Sequence, residues 1–174
     1  MWVWYLDRSA GIVALVALWL SVLTGIAYNA RGFGPLHRAS RILHLPASVV
    51  ASTALLAHVA IGLIDAGIVL ARQVPHPAYS DAYFLVGLGV GIVALLVIVT
   101  STLAFIDPKR FERPWDPRLV HAFAYFGFVA AIVHAIALGS DLYSFALPGL
   151  VAATLLLLGV LIARVIAPEP IASA

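Results

Sequence analysis

The sequence predicts an all-α integral membrane bundle of five transmembrane helices, and three observations carry that prediction. Hydrophobic residues make up 63% and charged residues 10%, too apolar a composition for 174 residues to fold as a water-soluble domain. Five runs, 9–30, 42–64, 82–106, 119–140 and 142–163, contain no Asp, Glu, Lys or Arg. Each exceeds the roughly 20 residues a helix needs to cross ~30 Å of hydrocarbon. The runs are continuous rather than alternating, which selects helix over barrel, because a spanning backbone has to satisfy its own hydrogen bonds. The chain reads as a single transmembrane domain over 1–174.

The first helix, about 9–30, is too long in its apolar part for a signal peptide, and only Arg8 against Asp7 stands in front of it, so it is expected to remain uncleaved. Trp2, Trp4 and Tyr5 read as an interfacial belt. The second helix, about 42–71, holds His44 and His58; Pro46 is best tolerated in a first turn, which sets His44 at or just before the helix start. The third, about 82–106, contains "GLGVG" at 87–91. No strand and turn frame those glycines, so Gly87 and Gly91 are expected to form a close-packing face rather than a nucleotide site. The fourth, about 119–140, holds His121 and His134, thirteen residues apart. Thirteen residues leave an ideal helix ~140° short of four turns, so an irregularity is expected between them, with Gly127 its expected place. The fifth helix is about 142–166. Between the third and fourth, "DPKRFERPWDPR" is a stiff polar loop, either a docking point for a reductase or simply solvated.

Basic residues set the orientation. Arg31, Arg38, Arg41, Lys109, Arg110, Arg113, Arg118 and Arg164 fall on one side, and Arg8 and Arg72 on the other. The larger set is expected in the cytoplasm, with the N-terminus outside, the C-terminus inside and the protein multi-pass in the plasma membrane. The positive net charge then describes topology and not a nucleic-acid partner.

Helices two and four accordingly run in the same direction, and both carry histidine pairs. The fourteen- and thirteen-residue separations correspond to about 21 Å and 20 Å of rise. They create two levels, His44 facing His121 and His58 facing His134. An ionisable side chain inside a membrane is by default a functional site. Zinc or copper usually takes a third or fourth protein ligand, and the chain has no cysteine and one methionine. Heme iron needs two axial ligands, and the lack of cysteine excludes covalent attachment and iron–sulfur clusters. Two noncovalent b-type hemes therefore fit four of the six histidines, with Ala51, Ala54, Ala57, Ala130 and Ala131 as small neighbours. His37 and His76 read as surface residues, and Phe123, Tyr125, Phe126 and Phe128 as packing.

His-x13-His followed two helices later by His-x12-His, in "LHLPASVVASTALLAHVAIGLID" and "VHAFAYFGFVAAIVHAIALGSD", resembles the ferric reductase-like transmembrane domain. That superfamily includes NADPH oxidases, ferric reductases and the heme subunit of the periplasmic methionine sulfoxide reductase system; the likeness here is to a short prokaryotic version. The resemblance implies a wire, with His44 and His121 on an inner heme, His58 and His134 on an outer one, and an oxidoreductase component as the result. Larger members carry six helices and a flavin and nicotinamide domain. This chain departs from them, which implies a separate cytoplasmic flavoprotein reductase or a membrane quinol as donor, and a small-molecule, metal or protein acceptor outside.

Arg38, Arg41 and Arg118 near the inner level and Arg72 near the outer are candidate partners for heme propionates. Asp65 follows His58 by seven residues and Asp141 follows His134 by seven. The two carboxylates are a candidate exit site, or else helix-end residues in the headgroup zone. Competing functions are a His/Asp-based metal-ion or proton transporter, and a quinol-linked cytochrome b membrane anchor subunit.

Overall fold

The computed structural model describes residues 2–28, 33–71, 82–106, 116–138 and 147–166. Among them there is helix and no strand. The order is α1 (Trp2–Ala27), α2 (Pro35–Ala71), α3 (Ala82–Ile106), α4 (Asp116–Ala122), α5 (Ala124–Leu138) and α6 (Leu147–Ile166). Four stretches are long and apolar enough to cross a membrane: Trp2–Ala27, Pro35–Asp65, Val86–Ala104 and Leu119–Leu138, the last running through α4 and α5. In α6 the apolar stretch Pro148–Ala163 is shorter. Large side chains such as Leu63, Val86, Leu96 and Leu155 are exposed along these helices, the inverse of a water-soluble bundle and the arrangement a lipid solvent permits.

Three helix boundaries differ from the sequence expectation, the first being α1, which begins at Trp2 rather than about residue 9. α2 begins at Pro35, so Pro46 lies inside it and His44 sits well past its start. The start is made by Gly34 at φ 51°, a left-handed conformation suited to glycine. Its carbonyl accepts from Arg38 N–H at 3.3 Å, and Pro35 follows at the first helical position, where no amide hydrogen is needed. Pro46 deletes one intrahelical bond, and α2 continues through it. The fourth predicted helix is indeed interrupted, but at Phe123 rather than Gly127. Phe123 N–H is shared between the carbonyls of Leu119 at 3.3 Å and Val120 at 3.2 Å. The i−3 bond tightens the turn and lengthens its rise.

The helices pack mainly as two antiparallel hairpins, α1 against α2 and α3 against α4 and α5. Close approach needs small residues where the helices cross. Ala14 and Ala51 are buried in the first hairpin, and Ala94 and Gly127 are buried in the second. Gly127 is required for that approach: a Cβ there would lie 2.8 Å from Ile98 Cγ1 and 3.1 Å from Val97 Cγ1. The hairpins also share a sequence. "GIVAL" occurs at 11–15 and again at 91–95, and the same 80-residue offset carries Ser21 onto Ser101 and Ala14 onto Ala94. α1 and α3 are thus equivalent elements of an internal repeat.

Between hairpins the contacts are sparse. Ser52 Oγ and Thr102 Oγ1 meet at 3.2 Å across α2 and α3. Trp19 Nε1 donates to the Ala153 carbonyl at 2.9 Å, and Leu157 of α6 completes a core of Leu18, Ile26, Leu55, Ile98 and Phe128. Replacing Gly127 by Leu should wedge α5 away from α3 and cost about 1–3 kcal/mol, the usual range for overpacking. Gly159→Leu, where a Cβ meets nothing, is the control. Thermal denaturation of both variants in detergent checks this: Gly127→Leu should melt earlier and Gly159→Leu should match the parent.

Candidate functional site

The four helical histidines come together in two pairs. His44 of α2 and His121 of α4 have ring centroids 5.8 Å apart with planes at 81°. His58 of α2 and His134 of α5 have centroids 6.1 Å apart at 72°. The rings nearly meet although α2 and α5 hardly approach each other along their lengths. Two imidazoles that held one metal ion between them would have ring centroids roughly 6 Å or a little more apart, and the observed separations of 5.8 and 6.1 Å are close to that.

Each ring is fixed through its other nitrogen. His44 Nδ1 lies 3.0 Å from the Ser21 carbonyl, His58 Nδ1 3.0 Å from the Asp7 carbonyl, and His134 Nδ1 2.8 Å from the Gly87 carbonyl. A carbonyl only accepts, so Nδ1 carries the proton in all three and donates it. In a neutral ring Nε2 then keeps its lone pair. His121 Nδ1 is 3.3 Å from Ser101 Oγ, and that hydroxyl donates to the His121 carbonyl at 3.0 Å. Its single hydrogen being used, Ser101 accepts from Nδ1–H, giving the fourth ring the same tautomer. Thr24 Oγ1 stands 3.3 Å from His44 Nδ1 as a second acceptor, its own hydrogen going to the Leu20 carbonyl at 2.7 Å. A ligating histidine characteristically donates its far N–H to a carbonyl, carboxylate or water; three rings donate to a carbonyl and His121 donates to a hydroxyl.

A glycine one turn beyond the accepting carbonyl makes room for the ring. A Cβ on Gly25 would meet His44 Cε1 at 3.1 Å, on Gly11 His58 Cε1 and Nδ1 at 3.3 Å, and on Gly91 His134 Nδ1 at 2.5 Å. The pairs Ser21 with Gly25, Asp7 with Gly11 and Gly87 with Gly91 are one device used three times. The repeat thus extends from sequence to site, since Asp7 and Gly11 map onto Gly87 and Gly91 at the same 80-residue offset. At His121 the serine hydroxyl replaces the carbonyl. None of the glycines on α1 was singled out from the sequence, nor were Asp7, Ser21 or Ser101; the duplicated "GIVAL" was the signal that marked them.

The remaining candidates are less concentrated. Arg38 and Arg41 are exposed on the first turns of α2, and Arg118 belongs to α4. Asp65 is half-buried on α2. Asp141, Arg72 and His76 lie outside the described residues, so the two-carboxylate exit site is not assembled here. His37 is half-buried rather than on the surface, its Nδ1 3.3 Å from the Ala27 carbonyl at the end of α1, where terminal carbonyls lack helical partners. Gly87 and Gly91 do form a packing face, Gly87 against Leu138 and Gly91 against His134. Phe128 is core, while Phe123, Tyr125 and Phe126 are exposed. Among the described residues no group of three or more His, Cys, Asp or Glu converges on a common point.

The Gly91 contact is tight enough to test. Gly91→Ala should expel the His134 ring and break its bond to Gly87, worth about 0.5–1.5 kcal/mol, whereas Gly89→Ala, which meets nothing, should not. Histidine 15N NMR checks it: one Nδ1–H resonance should be lost in the first variant and all kept in the second.

No curated protein and no solved structure matches the chain. A family described as a domain of unknown function (DUF8596) matches residues 2–141, a span that takes in both hairpins, all four paired histidines and Asp141. The chain belongs to that family.

Proposed function

We propose that this protein is a transmembrane electron carrier that binds two b-type hemes, His44 with His121 at an inner level and His58 with His134 at an outer one. The reading follows the resemblance to the ferric reductase-like domain. The observation that carries it is the pairing of imidazoles at a bis-axial separation with all four Nδ1 atoms engaged. When bound, the hemes supply two one-electron carriers stacked through the bilayer, so the donor loses one electron for each the acceptor gains.

The residues divide the remaining work. Three carbonyls of α1 and α3, and the Ser101 hydroxyl at His121, hold the imidazoles in one tautomer and one orientation, so little rearrangement would accompany ligation. Gly11, Gly25 and Gly91 let the rings lie against the neighbouring helix. Arg38 and Arg41 at the start of α2, with Arg118 on α4, offer cationic partners for propionates at the inner end.

The proposed topology has five spans, α6 being the last, with the N-terminus outside and the C-terminus cytoplasmic in the plasma membrane. Electrons then move outward from a flavoprotein reductase or quinol on the cytoplasmic side to a small-molecule, metal or protein acceptor.

The purified protein should show a Soret band, sharp reduced α bands and about two hemes per chain; a colourless folded preparation from heme-replete cells would exclude the reading. His58→Ala or His134→Ala should each remove the outer heme and spare the inner, by pyridine hemochrome titration. Equal loss of both hemes from a stable variant would undo the assignment by level. A reporter fused after Ala174 should behave as cytoplasmic, and an external signal would reverse the direction of flow.

A further inference from the structure

The two hairpins supply the outer histidines with the same carbonyl and the same glycine, but only one supplies a charge. At the position equivalent to Gly87 stands Asp7, whose side chain turns back onto the ring its backbone already holds. Oδ1 lies 2.9 Å from His58 Nδ1. That oxygen is buried and has no aligned hydrogen bond, because the Nδ1 proton is directed at the Asp7 carbonyl. Room for the carboxylate comes from α2: a Cβ on Gly62 would lie 3.2 Å from Oδ1. At the other level the described acceptors for the Nδ1 atoms of His44 and His121 are the Ser21 carbonyl, Thr24 and Ser101, all neutral groups.

Resting on the two-heme reading, we infer that Asp7 is a positioning residue that sets the reduction potential of the outer centre below the value its histidines alone would give. A carboxylate oxygen 2.9 Å from Nδ1, beside the carbonyl that takes the Nδ1 proton, makes the ring a stronger electron donor through Nε2, which would favour the oxidised metal. Its negative charge acts in the same direction, and more strongly in a poorly solvated site than in water. The outer centre becomes the stronger reductant for whatever acceptor meets it. The unfavourable step from inner to outer level is eased by the membrane potential, since an electron leaving a negative interior moves downhill.

The test is spectroelectrochemical titration of the full heme-loaded protein in detergent, with heme content measured on each sample. His134→Ala identifies the outer midpoint as the one that disappears. Asp7→Asn should keep two hemes and shift the outer midpoint upward while the inner one stays. Asp7→Glu should restore a midpoint near that of the parent. Gly62→Ala, which crowds the carboxylate without removing it, should move the same midpoint in the same direction by less. Unmoved midpoints in Asp7→Asn with both hemes present would overturn the inference, and so would loss of the outer heme, which would make Asp7 a structural support. A parent protein without heme would instead overturn the functional reading beneath it.

Discussion

The donation of each imidazole Nδ1–H to an acceptor on the neighbouring antiparallel helix is the interaction on which the rest of the structure depends. Placing a histidine in a membrane is costly while its polar nitrogens lack partners. A partner on α1 or α3 settles half of that requirement and fixes which nitrogen is left over. It also fixes the helix register. Asp7 lies opposite His58 and Ser21 opposite His44, so fourteen residues up α1 match fourteen down α2. The small residues at Ala14, Ala51, Gly11 and Gly25 follow from that register, since each stands where a larger side chain would hold the rings or the helices apart.

In the second hairpin the same constraint has to be met with one residue fewer. Gly87 lies opposite His134 and Ser101 opposite His121, fourteen residues on α3 against thirteen on α4 and α5. An unbroken α-helix would turn one of the two rings away. The shared bond at Phe123 shifts both quantities in the needed direction, because a tighter turn rotates further and rises further per residue. The break sits beside His121 and not at Gly127, because Gly127 is already committed to close contact with Val97 and Ile98. An irregular helix here is the means by which two unequal spacings give two level pairs.

The repeat explains why the site is symmetric, and its exceptions show where the two levels differ. Ser101 in place of a carbonyl and Asp7 in place of Gly87 are the substitutions that reach the rings. One changes the hydrogen-bond partner of His121 and the other adds a charge beside His58.

The sequence by itself determined the solvent, the helices and the histidine levels. Those follow from local quantities: unbroken apolar length, rise per residue, and the separations between His44 and His58 and between His121 and His134. The expected start of α2 close to His44, with Pro46 in the first turn, and the expected break at Gly127 were both misplaced, because a proline or glycine marks where a helix can be disturbed, while packing decides where it is. What only the tertiary structure decided is which atoms hold the rings. The accepting groups on Asp7, Ser21, Gly87 and Ser101 are mostly backbone carbonyls, and a carbonyl leaves no mark in a sequence because every residue has one. Only the antiparallel fit of one helix on another selects the few that meet a histidine.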